Sequence, residues 1–274
     1  MIVVTGTGRC GTSLVANILL EAGANFDKIS EMLPPDEHNP KGYFESKEVV
    51  ALNKALILGK SVSFPSASGS ARGGLFGGFM ENLKKINYFL PPREAVIERR
   101  AAKIKDEILK IAQKRDQMVI KDVRFSYTMG AWAKYLPIEK VAYCFRHPSE
   151  VASSLSKSYK IPLSAGYWVW KVRVEKFLSQ ADGIPIVFIN YNNLLDEKTQ
   201  ESEIQRLFEF LERKGSEEEI KKIISSVIDR NLYKQVSINA QLPENIASLY
   251  RTLREFHRNY CTLKPFDNNR LENP

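Results

Sequence analysis

The sequence has little cysteine, and what it has is scattered. Only Cys10, Cys144 and Cys261 occur among 274 residues, and no two of them form a C-x-x-C pair. This spacing argues against a disulfide framework and against a zinc site built from paired thiolates. Such scarcity is typical of proteins in a reducing compartment, so we expect a cytoplasmic location.

Long apolar runs and linker-like stretches are also missing. No segment approaches the ~18 consecutive apolar residues that a membrane span needs, and Met1 is followed by Ile2, Val3 and Val4 rather than by a basic and then apolar leader. We therefore expect no integral membrane segment. With 43% hydrophobic and 26% charged residues and no Pro/Ser-rich linker, the composition predicts one globular domain over residues 1–274.

Acidic residues are fewer than basic residues. Forty Lys plus Arg oppose 32 Asp plus Glu, which gives a net charge of +8 and favours an anionic partner without identifying it. The basic residues of segment 97–114 alternate with Glu98, Asp106 and Glu107 and lack the interleaved aromatics of single-strand readers. We expect a solvated helix face there and no nucleic-acid partner.

The distribution of apolar residues predicts an α/β fold. Short runs rich in β-branched residues alternate with helical patterns, which indicates a central parallel sheet with helical crossovers in three α/β/α layers. The strands are predicted at residues 2–5, 118–120, 141–145 and 184–189, and one crossover helix is predicted at 97–111. From residue 199 to 274 the sequence predicts helices alone, at 201–212, 217–228 and 243–257. The Gly- and Ser-rich segment 61–78 predicts a mobile loop, of the kind that often covers a substrate.

A phosphate-binding loop is predicted after the first strand. Gly6 and Gly11 flank four residues and precede an amphipathic helix, so backbone N–H groups and the hydroxyls of Thr12 and Ser13 can surround an anion at the helix N-terminus. A nucleoside-triphosphate loop would carry Lys where Thr12 stands. The only cation in the turn is Arg9, which weakens the case for ATP chemistry.

A second anion anchor follows the third predicted strand. Arg146 stands at the carboxyl end of that strand, where side chains point into the ligand crevice of an open sheet. Pro148 can begin a helix whose later turns present Ser154. Alone, Arg146 could be an ion-pair partner of Glu150; together with the first loop, it indicates a ligand-binding role.

These segments resemble those of the sulfotransferases. Arg9-Cys10-Gly11-Thr12-Ser13 is similar to their K/R-S-G-T-T/S loop, with Cys10 in place of Ser, and residues 146–154 are similar to their R-N/H-P-x-D/E-V-A-x-S segment. Residues 39–45, N-P-K-G-Y-F-E, resemble a signature of bacterial members. The resemblance covers residues 1–213 and implies a P-loop, nucleotide-kinase-like parallel sheet.

The resemblance implies 3′-phosphoadenosine-5′-phosphosulfate (PAPS) as sulfuryl donor, 3′,5′-adenosine bisphosphate (PAP) as product and no metal. It places Arg9, Cys10, Gly11, Thr12 and Ser13 at the 5′-phosphosulfate, Arg146 and Ser154 at the 3′-phosphate, and Tyr191 near the adenine, although a packing role is nearly as good for Tyr191. Arg9 and Lys121, at the end of the second strand, would stabilise charge on the transferring group.

The catalytic base is the weakest part of the resemblance. Cytosolic sulfotransferases use a His two residues after the strand-terminal Lys, but Val123 stands there. Tyrosylprotein and heparan sulfotransferases use a Glu after the first helix, and Glu45 is the best positional match. A helix N-terminal role for Glu45 is as good an interpretation. The competing candidates are Glu31, Asp36, Glu37 and His38.

Other functions remain open from the sequence. One is a P-loop small-molecule kinase in which Ser13 and Asp122 hold magnesium for ATP; another is a donor-binding scaffold that has lost catalysis. The acceptor hydroxyl or amine would be read by residues 31–92, whose composition does not choose between carbohydrate, lipid, peptide and small metabolite. The oligomeric state is likewise open.

Overall fold

The computed structural model describes residues 1–36, 39–59, 91–229, 241–259 and 264–266. The predicted mobile loop at 61–78 lies outside the described residues. So do Glu37 and His38, two of the candidate bases.

The described part of the chain contains the strands β1 (Ile2–Gly6), β2 (Val119–Lys121), β3 (Lys140–Phe145), β4 (Pro185–Asn190) and β5 (Lys264–Pro265). They form one sheet of order β2-β1-β3-β4-β5 at the centre of the protein. The predicted parallel sheet is confirmed: β1, β2, β3 and β4 are parallel, and among these strands only β5 is antiparallel, paired with β4.

The expectation of helices alone after residue 199 is wrong, because β5 lies in that part of the chain. Phe266 ties this short strand to the sheet: its N–H donates to the Ile184 carbonyl and its carbonyl accepts from the Gly183 N–H, both at 2.9 Å. Its ring also packs edge-on against Phe256, 5.1 Å between centroids. A strand of two residues is too short to produce the alternating pattern by which strands are recognised in a sequence.

Helices flank the sheet on both faces in a three-layer α/β/α arrangement. In the described part of the chain, no helix is long and apolar enough to cross a bilayer. The α-helices are α1 (Thr12–Glu21), α2 (Lys47–Leu58), α3 (Glu94–Lys103), α4 (Lys105–Lys114), α5 (Phe125–Ala133), α6 (Pro148–Tyr159), α7 (Leu163–Gln180), α8 (Tyr191–Leu195), α9 (Gln200–Phe210), α10 (Glu217–Val227) and α11 (Glu244–Asn259).

The single crossover helix predicted at 97–111 is two helices, α3 and α4. The chain leaves helical geometry at Ile104, where φ is −122° and ψ is 29°. Ile97 on α3 and Ile108 and Ile111 on α4 are all buried. Because the apolar spacing continues across the break, the sequence pattern gives no sign of it.

The core explains why the strands read as continuous apolar runs. Every residue of β1 and β3 is buried, as expected for parallel strands covered on both faces. Tyr143 of β3 stacks on Phe177 of α7 with 4.0 Å between ring centroids. The parallel strands all end at one edge of the sheet, where Gly6, Lys121 and Phe145 lead into the segments that form the candidate site.

Candidate functional site

The turn between β1 and α1 has an unusual backbone. Gly8, Arg9 and Gly11 have φ values of 75°, 56° and 95°, in the left-handed region that costs a non-glycine residue about 1–2 kcal/mol. At Gly11 the space is closed as well, because an added Cβ would lie 1.9 Å from Cδ2 of Tyr191. This turn, residues 7–11, is called the β1–α1 loop below. The two glycines adopt this conformation readily, whereas at Arg9 it is held by the surrounding structure.

Each backbone carbonyl of the β1–α1 loop accepts a hydrogen bond. The donors are Arg173 Nη1 to Thr7 (2.7 Å), Thr7 Oγ1 to Gly8 (3.3 Å), Arg146 Nη1 to Arg9 (3.5 Å), the Cys144 thiol to Cys10 (2.9 Å) and the Val15 N–H to Gly11 (3.1 Å). With its carbonyl groups so engaged, the loop can direct its N–H groups to the opposite side.

The N–H groups of the loop are available for an anion. The backbone N–H groups of Arg9, Cys10, Gly11 and Thr12 donate no hydrogen bond to any of the described residues. Thr12 begins α1, so the positive end of that helix adds to the same region. The loop therefore has the donors and the field that a phosphate, sulfate or carboxylate group requires.

Ser13 adds a side-chain donor next to this loop. Its Oγ accepts hydrogen bonds from Asn39 Nδ2 at 2.9 Å and from Lys121 Nζ at 3.3 Å. A hydroxyl has two lone pairs and one proton, so with both lone pairs engaged the O–H can only donate. The sequence motif N-P-K-G-Y-F-E contains Asn39 but does not predict this contact with Ser13. The position of the motif after the first helix is the one feature of the sequence that indicates it.

A buried ionic network lies beside Ser13. Glu45 pairs through Oε1 with Lys121 Nζ (2.7 Å) and through Oε2 with Arg124 Nη1 (3.2 Å). The same Nη1 pairs with Asp122 Oδ1 (2.7 Å), and Asn53 Nδ2 donates to Asp122 Oδ2 (2.9 Å). We call these five residues the Glu45 network. Arg124 was missed in the sequence because cations near a strand end are common.

The electrostatics keep Glu45 ionised. Burial of the carboxyl group by itself would raise the pKa, but the charges and hydrogen bonds of Lys121 and Arg124 outweigh it and lower the pKa of Glu45 below its usual value. Only 4% of Glu45 is exposed. The side chain is thus a carboxylate with each oxygen bound to a cation, which orients it and also makes it a weak base.

The second anchor meets the first loop directly. Arg9 Nε donates to Ser154 Oγ on α6 at 2.9 Å. Arg146 pairs with Glu150 through Nε (3.1 Å), and its guanidinium lies 4.8 Å from the centre of the Tyr191 ring. Arg146 thus forms the ion pair considered from the sequence and also reaches the β1–α1 loop.

The other described candidate bases are occupied in different ways. Glu31 pairs with Lys114 at 3.2 Å. The carboxylate of Asp36 accepts from the Tyr43 hydroxyl at 2.8 Å and from the Asn39 N–H at 3.0 Å. Burial, together with the hydrogen bond and charge of Asp36, raises the pKa of Tyr43 to about 12. Asp36 therefore organises the segment that carries Asn39.

The magnesium arrangement considered for a kinase is not formed by Ser13 and Asp122. Asp122 is fully buried, and its two oxygens already accept from Arg124 and Asn53. Ser13 contacts Lys121 rather than a carboxylate. Within the described ranges there is also no group of three or more His, Cys, Asp or Glu side chains that could hold a metal ion.

The structure thus brings ten of the residues predicted from the sequence to one edge of the sheet: Arg9, Cys10, Gly11, Thr12, Ser13, Glu45, Lys121, Arg146, Ser154 and Tyr191.

Comparison with known sequences does not identify a family, because neither a protein-family model nor a curated protein matches the chain. Among solved structures, the sulfotransferase domain from the Synechococcus PCC 7002 olefin synthase is similar over 93% of this chain and 94% of that chain. The sequence identity is 13% and the TM-score 0.46. Similarity at this level leaves the function to be argued from the site.

Proposed function

We propose that this protein is a sulfotransferase that moves a sulfuryl group from PAPS to a hydroxyl or amine of an acceptor. The observation that carries the proposal is the contact between Arg9 and Ser154. It joins a loop with spare N–H donors to a second cationic anchor at Arg146. A nucleotide with anionic groups at both its 5′ and 3′ positions is a ligand that requires two such anchors side by side.

The 5′ anchor suits a phosphosulfate better than a triphosphate. Thr12 supplies an N–H and a hydroxyl where a triphosphate loop has its Lys, and Ser13 supplies an O–H that can only donate. The Cys10 side chain is fully buried, so Cys10 would contribute its backbone N–H alone. The Cys in place of Ser then leaves the backbone part of the anchor in place.

The 3′ anchor consists of Arg146 and Ser154. Glu150 pairs with Nε of Arg146, and the guanidinium lies over the Tyr191 ring, so the cation is oriented before the ligand arrives. A bound 3′-phosphate would accept a charge-assisted hydrogen bond from Arg146 and a second hydrogen bond from the Ser154 hydroxyl. The Tyr191 ring, between Gly11 and Arg146, would then lie beside the nucleoside.

Transfer of the group divides between two sets of side chains. The acceptor oxygen or nitrogen forms a bond to the sulfur while the bond from sulfur to the 5′-phosphate oxygen breaks, and the electrons of the broken bond stay on that oxygen. Lys121 has three N–H donors and two described partners, Glu45 and Ser13, so one donor remains for that oxygen, with Arg9 as the second cation. Glu45 is the proposed acceptor of the proton that leaves the acceptor hydroxyl.

A donor-binding protein without turnover is the second candidate. The observation that favours it is the double pairing of Glu45, because a carboxylate held by two cations accepts a proton poorly. For Glu45 to act as base, Lys121 must weaken its ion pair with Glu45 by interacting with the bound donor. Turnover and binding must therefore be measured separately.

The first experiment is thermal stabilisation of the wild-type protein by PAP compared with ATP plus magnesium. A ligand at 100 times its dissociation constant stabilises by about 2.7 kcal/mol, and we expect this with PAP alone. Arg146→Ala should abolish the preference for PAP. Arg206→Ala is the matched control, because Arg206 also pairs with a carboxylate one helical turn away, Glu203, but lies on α9.

A larger shift with ATP plus magnesium would contradict the sulfotransferase proposal. If PAP is preferred, incubation with sulfur-labelled PAPS and release of PAP separate an enzyme from a binding protein. PAP binding without any release of label, in the presence of acceptor mixtures, would favour the second candidate.

A further inference from the structure

Arg173 contacts the β1–α1 loop from inside the protein. It lies on α7, and only 1% of the residue is exposed. Its Nη1 donates to the Thr7 carbonyl at 2.7 Å and its Nε to the Tyr127 hydroxyl at 3.0 Å, with the guanidinium 5.2 Å from the Tyr127 ring centre. Arg173 belongs to none of the motifs in the sequence.

Gly8 also lies beside Arg173. A Cβ added to Gly8 would lie 2.6 Å from Arg173 Nη1, so this loop position requires glycine both for its φ of 75° and for the neighbouring cation. Arg9, the next residue, has an exposed side chain directed to Ser154. Arg9 and Arg173 therefore place one exposed and one buried guanidinium at the loop, in addition to that of Arg146.

A buried cation influences this loop more strongly than an exposed one at the same distance. Little water or salt lies between Arg173 and the backbone of Thr7 and Gly8, so the positive potential is weakly screened. Taking a guanidinium out of water is unfavourable. An anion on the loop would add a favourable interaction with this buried charge.

We propose that Arg173 is a positioning residue of the donor site, which fixes the Thr7 carbonyl inward and adds a buried positive charge behind the 5′-phosphosulfate. The inference rests on the proposed function. Arg173 does not touch the donor; it acts through the backbone of Thr7 and Gly8. Its effect should therefore be confined to the 5′ end of the nucleotide, away from Arg146 and Ser154.

The test compares the affinity of each variant for PAP and for adenosine 3′-monophosphate, which lacks the 5′-phosphate. In Arg173→Met, the gain in affinity that the 5′-phosphate provides should fall about tenfold, which is 1.4 kcal/mol, with binding of the monophosphate unchanged. Arg173→Lys keeps the positive charge and the ability to donate to the Thr7 carbonyl, and should recover part of the loss. Equal weakening of both nucleotides, or no weakening of either, would overturn the inference.

Arg213→Met is the matched control. Arg213 also donates through Nη1 to a backbone carbonyl, Ala22, at 2.6 Å and lies 4.9 Å from an aromatic ring, Phe208, but it belongs to the segment between α9 and α10. This variant should bind both nucleotides like the wild type. If Arg173→Met does not fold, Arg173→Lys and Arg173→Gln carry the same comparison.

Failure of the proposed function gives a different result. If the wild-type protein binds neither nucleotide, the donor assignment fails, and inorganic pyrophosphate becomes the probe of the loop. Weaker pyrophosphate binding by Arg173→Met than by Arg213→Met would keep Arg173 as a positioning residue for an anion. Equal binding by the two variants would overturn that role as well.

Discussion

The β1–α1 loop and the Glu45 network lie at the same edge of the sheet and use their polar groups in opposite ways. In the loop, the carbonyl groups are bound by the protein while the N–H groups from Arg9 to Thr12 have no acceptor among the described residues. In the network, both oxygens of Glu45 and of Asp122 are bound by neighbouring side chains. One region has N–H donors to spare, and in the other all four carboxylate oxygens are already occupied.

This difference separates binding from catalysis. A loop whose N–H groups are already oriented binds an anion with little reorganisation, so its affinity depends on groups that hold it in place. A carboxylate held by two cations becomes a base only when a ligand competes for one of them. Lys121 contacts both Glu45 and Ser13 and is the side chain through which the two regions communicate.

Replacing Glu45 by Gln should produce the largest effect. Loss of a positioned general base reduces turnover by about 10²–10⁴-fold, whereas PAP binding should change little because Arg146 and the loop remain. Turnover with labelled PAPS and PAP affinity are the two measurements. Glu48→Gln is the control, since Glu48 is likewise paired, with Arg115 at 2.6 Å. Unchanged turnover in Glu45→Gln would transfer the base to Asp36, Glu37 or His38.

Two glycine variants test whether the loop depends on its close contacts. Gly11→Ala combines a φ of 95° with overlap of the Tyr191 ring, and should destabilise by about 2–4 kcal/mol with loss of PAP binding. Gly42→Ala has a similar φ of 94° but nothing within 4 Å of the added Cβ, so it should cost about 1 kcal/mol. Equal destabilisation of Gly11→Ala and Gly42→Ala in denaturant unfolding would mean that the close approach of Tyr191 to Gly11 does not restrict the loop.

The pH dependence of stability tests the network. The folded-state pKa of Glu45 is lowered by Lys121 and Arg124 against the effect of burial, so the unfolded chain binds the proton first as the pH falls. The stabilisation is present above the unfolded pKa of about 4.3 and is lost as pH falls toward the folded value. Between these values, the unfolding free energy of the wild type should fall more steeply than that of Glu45→Gln. Parallel curves would show that the pairs add no stability.

The sequence predicted the parallel sheet because β1, β3 and β4 are buried runs of β-branched and apolar residues, which few other structures accommodate. The break at Ile104 and the strand at Lys264–Pro265 were missed, because neither alters an apolar period. The candidate site was predicted less completely than the sheet. The motifs placed Arg9 and Arg146 near one ligand, since turns at strand ends converge at one edge.

Motifs could not predict how the side chains share partners. Glu45 stands 76 positions before Lys121, and which of its oxygens meets which cation depends on how the following helix, α2, packs against α3 and α5. Arg173 lies in the middle of a long helix, where an Arg normally indicates a solvated surface. Its burial against Thr7 and Gly8 depends on how α7 packs against α5 and α6, which no local pattern encodes.

The smallest expected effect concerns the link between the motif segment and the loop. Asn39→Ala removes the donor that occupies one lone pair of Ser13 Oγ, and a single such hydrogen bond contributes about 1 kcal/mol. Ser13 could then turn its proton away from the ligand, so PAP affinity should fall about fivefold while adenosine binding stays the same. Asn193→Ala, which removes a comparable bond to Glu203 (3.2 Å), is the control. If Asn39→Ala left PAP affinity unchanged, Lys121 alone would be sufficient to orient the Ser13 hydroxyl, and both regions would depend on that one cation.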